Sequence, residues 1–148
     1  MEIVHIAPNS PFNDGWGYQD NLLPKYQVKL GYTVTLLVTD TTHSDRGLVH
    51  TEEREFTSVD GFKVIRFPYK QYSVKMLTTV FYKMDVYEKL VELQPDFVFF
   101  HGLLSRTFCD VIRYKKTREK AGKPCVVVQD NHLDYNIGIK FATAKQKL

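Results

Sequence analysis

Met1-Glu2-Ile3-Val4-His5-Ile6-Ala7-Pro8-Asn9-Ser10-Pro11 opens the chain; Asp14-Gly15-Trp16-Gly17 follows, and Leu30-Gly31 closes a helix-like segment just before the apolar run Val34-Thr35-Leu36-Leu37-Val38. That order is strand, glycine-bearing loop, helix, strand, the βαβ unit of a sheet wound on both faces. The loop leaving the first strand lies near a helix N-terminus with unpaired N–H groups, where such folds meet ligands. Glycine there permits positive φ and close approach of the backbone. Tyr18, Gln19 and Asp20 stand where a third glycine would complete a dinucleotide fingerprint, so a nicotinamide site is not expected. Gly15 and Gly17 either only turn the chain or admit a phosphate or sugar, and two glycines at this spacing do not decide between the two.

The chain has 148 residues, 43% hydrophobic and 25% charged, enough for one globular domain with a substantial core. Twenty basic against seventeen acidic residues leave a net charge of +3. The one basic cluster, Arg113, Lys115, Lys116, Arg118 and Lys120, falls on a predicted helix and reads as a solvated face. Nucleic-acid binding is not expected, and contact with a membrane surface is at most weak. Cys109 and Cys125 lack metal-ligand or redox spacing and read as reduced, buried residues of an intracellular, cytoplasmic protein. The opening residues lack a basic segment followed by an apolar core, and no apolar run is long enough to span a bilayer.

Farther along, residues 39–55 lack periodicity and are expected to form a mobile loop. Asp60-Gly61 between two β-prone pieces signals a hairpin. Leu77, Val80, Phe81, Met84, Tyr87, Leu90 and Val91 recur at intervals of three and four, predicting a long helix over 76–93. Phe97-Val98-Phe99-Phe100 reads as a strand covered on both faces, with His101-Gly102 at its carboxyl end. A helix is expected over 105–121, stopped by Gly122, and a strand over 125–128. Pro24 inside the first helix predicts a kink or a late start there. The alternation gives an α/β domain over residues 1–148, a mainly parallel sheet with helices on both faces.

Ligands of such sheets sit at the carboxyl ends of the strands, where three polar groups of residues fall. One spans residues 9–18, another is His101-Gly102, and the third is Gln129-Asp130-Asn131-His132. Neutral groups there can bond hydroxyls while helix N–H groups receive an anion, a combination that suits sugar plus phosphate. His101 is either a polar strand cap or a donor to a substrate hydroxyl or developing charge. His5 reads as structural and His43 and His50 as loop residues, and no histidine pair has metal-ligand spacing. Ser10 and Ser105 lack a nucleophile elbow, and no cysteine ends a strand beside a base.

Several segments keep a familiar order: Ile3-Val4-His5-Ile6-Ala7-Pro8, Gly15-Trp16-Gly17, Leu30-Gly31-Tyr32-Thr33-Val34, Asp60-Gly61-Phe62-Lys63-Val64, Pro95-Asp96-Phe97-Val98-Phe99-Phe100-His101-Gly102 and Gly122-Lys123-Pro124-Cys125. Together they resemble the N-terminal, acceptor-side domain of GT-B glycosyltransferases, in particular the retaining family-four type. The resemblance implies a Rossmann-like, doubly wound domain of a two-domain enzyme that moves a sugar from a nucleotide-sugar co-substrate to a carbohydrate or glycosylated acceptor. No other cofactor and no metal are implied. His101 would lie near the transferred sugar as the catalytic residue. Asp14, Gly15, Trp16, Gly17 and Tyr18 would approach donor phosphate and acceptor, and Gly102, Gln129, Asp130, Asn131 and His132 would line the acceptor side. Tyr32 replaces the family's usual histidine, and Asp14-Gly15-Trp16-Gly17 replaces adjacent glycines. The nucleotide site of such enzymes belongs to a C-terminal domain not included in residues 1–148, without which transfer is not expected. The alternative is a stand-alone Rossmann-like or flavodoxin-like module that binds a phosphorylated ligand.

Overall fold

Alternate residues of the first strand go to opposite cores. In the computed structural model, which describes residues 1–52, 54–68, 70–74, 79–102 and 105–130, β1 (Glu2–Ala7) is an inner strand of a six-stranded sheet. Val4 and Ile6 pack with Leu37, Ile65, Val98 and Phe100, while Ile3 and Ala7 pack with Val34, Leu36, Val38 and Val64. This period of two puts every apolar side chain of β1 in a core and leaves none facing solvent.

β1 is followed by α1 (Gln19–Lys29), β2 (Thr33–Thr39), β3 (Thr41–Ser44), β4 (Gly47–His50), β5 (Glu55–Thr57) and β6 (Lys63–Phe67). Then come β7 (Lys70–Val74), β8 (Thr79–Lys83), α2 (Tyr87–Leu93), β9 (Phe97–Phe100), α3 (Phe108–Lys120) and β10 (Val126–Gln129). The main sheet has the order β10-β9-β1-β2-β6-β5. All neighbours are parallel except β5 and β6, which form the antiparallel pair expected across Asp60-Gly61. The register sets Ile3 between Val34 on β2 and Phe97 on β9. Val28 of α1 packs into one core, and Leu90 of α2 with Val111 and Tyr114 of α3 into the other. Among the described residues no helix is long and apolar enough to cross a membrane.

Four expectations are corrected. The interval 39–55 is not a loop throughout: β3 and β4 form a hairpin, with Thr41 opposite His50 and Ser44 opposite Gly47. Ser44 Oγ accepts the Arg46 N–H and donates to the Gly47 carbonyl, and Gly47 takes φ +94°, so a tight polar turn closes the pair.

The long helix over 76–93 is replaced by the antiparallel pair β7–β8 and the short α2, with Leu77 outside the described residues. Between β8 and α2, the Met84 N–H donates to Thr107 Oγ1 at 3.0 Å and the Val86 N–H to Asp110 Oδ2 at 3.1 Å. Side chains beside and on α3 thus take the donors that a continuous helix would have given to its own carbonyls. Met84, Tyr87 and Leu90, all members of that spacing, still reach the core.

Of the kink or late start expected at Pro24, the late start does not occur: α1 begins at Gln19 and runs through Pro24, which is buried. Cys125 is buried but Cys109 is exposed on α3.

Candidate functional site

Two chain segments leave the sheet in opposite directions beside β1. After β1 the chain passes to α1 on one face, and after β9 to α3 on the other, while the strand order reverses between β1 and β9. A crevice at the carboxyl ends follows from that divergence. The ladder continues past the strand ends: the His101 N–H donates to the Ile6 carbonyl at 2.9 Å and the Asp130 N–H to the Phe100 carbonyl at 3.2 Å. His101 and Asp130 are therefore placed by backbone bonding at the rim of the sheet.

Gly102 then turns the chain at φ +95°, a conformation L side chains rarely adopt. Its N–H donates to Asp130 Oδ1 at 3.0 Å, and Gln129 Nε2 donates to its carbonyl at 2.8 Å. Asp130 Oδ2 lies 3.3 Å from His101 Nδ1 and accepts from Gln19 Nε2 at 3.4 Å, and Asp20 Oδ1 lies 3.4 Å from the same His101 nitrogen. On its other side, His101 Nε2 is 2.9 Å from His5 Nδ1, and His5 Nε2 is 2.7 Å from Gln27 Oε1. Burial is the main cause that pushes His5 down to about 4, opposed by the Gln27 bond.

The structure thus gathers His101, Gly102, Gln129 and Asp130 at one rim. The His101 side chain is only 4% exposed, whereas Asp20 and Asp130 are 15% and 18% exposed in front of it. Asp20 lies in the first turn of α1, where the helix dipole favours an anion. Its carboxylate occupies the electrostatic position in which a phosphate was expected.

Beside Asp20 opens a cleft of about 400 Å³ lined by Ser10, Phe12, Asn13, Tyr18 and His43 among others. Trp16 stacks on His43 with centroids 5.6 Å apart and planes 12° apart, and Tyr18 lies 5.7 Å from Trp16. Both aromatic rings remain open, at 42% for Trp16 and 63% for Tyr18. Asp14 and Gly15 instead anchor the loop at the β5–β6 turn: Asp14 Oδ2 accepts the Val59 N–H at 2.9 Å, and Gly15 takes φ +75° against Val59. Gly17 shows no steric need for glycine, since an added Cβ meets nothing within 4 Å. Asn131 and His132 lie outside the described residues.

Gln19, Asp20, Gln27 and His43 were not singled out from sequence as site residues, and His5 was read as structural. A polar His5 interrupting an otherwise apolar buried strand is the one signal that calls for a buried partner. Among the described residues no three His, Cys, Asp or Glu side chains are grouped to hold a metal ion. No family model matches the chain, and neither a curated protein nor a solved structure matches it.

Proposed function

We propose that this chain is the acceptor-side half of a sugar-transferring enzyme, the N-terminal domain of a GT-B glycosyltransferase of the retaining family-four type, with a Rossmann-like, doubly wound sheet. The observation that carries the reading is the cleft beside the start of α1, lined by Asn13, Tyr18, Asp20 and His43, with the open ring of Trp16 stacked on His43 at its margin. Aromatic faces cover the C–H face of a pyranose, while carboxylate and amide groups take its hydroxyls. Asp20 and Asp130 favour hydroxyl donors and repel a phosphate, which supports an acceptor role over that of a phosphorylated-ligand module. In this reading the nucleotide-sugar phosphate is held chiefly by a second, C-terminal domain, and the chain alone does not turn over.

Trp16 is the single tryptophan and stacks on His43, which lines the cleft, so its emission reports on changes at the cleft margin. Titration with methyl glycosides should change that emission, and Trp16→Ala should weaken glycoside binding about tenfold by ligand-observed NMR, as loss of one aromatic contact implies. Tight binding of free nucleotide with no glycoside response would favour the phosphorylated-ligand module. Silence toward both would remove the sugar reading of the cleft.

A further inference from the structure

His5 is fully buried in β1, and an imidazole there is tolerated only with its ring nitrogens paired. Both are paired, and the two bonds constrain each other. Gln27 presents its oxygen, which only accepts, so His5 carries its proton on Nε2 and a lone pair on Nδ1. His101 must then donate from Nε2 into that lone pair. Its remaining nitrogen, Nδ1, faces the oxygens of Asp20 and Asp130, and a lone pair there would oppose both carboxylates.

We infer that His5 and Gln27 are positioning residues that hold His101 with a proton on both ring nitrogens, a buried cation balanced by Asp20 and Asp130 at the edge of the cleft. Among the described residues, His101 is faced by His5 from β1, Phe99 from β9, Asp20 from α1 and Asp130 after β10, with Gln27 behind His5 and Gln19 on Asp130. Burial holds His5 neutral and the charge of His101 adds to that effect, in the same direction as the bond pattern. The cation lets two carboxylates stand together beside the cleft, of which Asp20 is a lining residue. The inference rests on the sugar reading only for the identity of the cleft's ligand.

The competing arrangement turns the Gln27 amide around so that its NH2 donates to His5. Every donor in the chain then reverses, and His101 is neutral with its proton on Nδ1 alone. Ring-nitrogen NMR of the ligand-free chain near neutral pH separates the two. The expected result is two protonated nitrogens on His101, and on His5 a protonated Nε2 with an unprotonated Nδ1. Gln27→Glu, which can only accept, should leave this pattern unchanged, whereas Gln27→Met should abolish the Nε2–H preference of His5. A single protonated nitrogen on His101 with His5 protonated on Nδ1 would overturn the inference, as would a reversal of the pattern in Gln27→Glu. The wild-type spectrum decides even if a variant does not fold. Failure of the wild-type chain to bind methyl glycosides, with the two-proton signature intact, would sink the sugar reading and leave the positioning role standing.

Discussion

Asn13 and His43 exchange two hydrogen bonds, from Asn13 Nδ2 to the His43 carbonyl at 2.9 Å and from the His43 N–H to Asn13 Oδ1 at 2.8 Å. The side-chain amide stands in for a neighbouring strand and ties the loop after β1 to the β3–β4 hairpin. Both bonds are exposed, so Asn13→Ala should cost about 1 kcal/mol in urea unfolding. Amide exchange at His43 should accelerate more than the global loss explains. Unchanged exchange there would show that the hairpin is held by other contacts.

Arg66 is buried in β6 and donates to the carbonyls of Phe12 at 3.1 Å, Thr41 at 3.2 Å and Thr39 at 3.4 Å. Its guanidinium also lies 5.6 Å from the Phe12 ring and 5.5 Å from Phe56. A lysine cannot reproduce this planar fork, so Arg66→Lys should destabilise by about 3 kcal/mol, with the slope against denaturant unchanged. A loss below about 1 kcal/mol would show that the carbonyls find other donors.

Acid should destabilise the fold through His5. Its folded value of about 4 lies below the ordinary 6.5, so between these two values the unfolded chain binds more protons. The contribution is fully present above 6.5 and is lost as pH falls toward 4, to an extent on the order of 3 kcal/mol. Carboxylates add their own dependence, so the check is the difference between unfolding curves of wild type and His5→Gln across this window. Parallel curves would show that His5 does not carry the effect.

The two thiols should separate cleanly under alkylation. Cys109 is exposed, whereas Cys125 is buried and burial pushes its thiol up, which lowers the reactive thiolate fraction. Mass spectrometry should show one label under native conditions and two in denaturant. Native labelling of Cys125 at a comparable rate would mean that the β10 edge opens readily.

Much of the parallel sheet was legible because β1, β2 and β9 are apolar on both faces, a pattern few other elements share. The convergence of His101, Gly102, Gln129 and Asp130 followed from placing them at strand ends. The β7–β8 pair was not legible: Val80, Phe81 and Met84 satisfy helical spacing and β-preference alike, and distant Thr107 and Asp110 take the donors of Met84 and Val86. The β3–β4 hairpin was missed because Asp45-Arg46 is a weak turn signal, so the significance of Gly47 shows only with the register known. Asp20 escaped notice for a similar reason, since its relation to His101 depends on where α1 begins.

The pairing of His5 with His101 joins residues 96 positions apart. On a ribosome adding about 5–20 residues per second, the first partner waits roughly 5–20 s for the second. During that interval β1 can pair with β2 but has one open edge and an imidazole still lacking its His101 partner, so the nascent domain carries a vulnerable strand until β9 emerges. A translational pause before β9 emerges would lengthen that exposure, making the spacing of these two histidines a determinant of how much protein reaches the folded state.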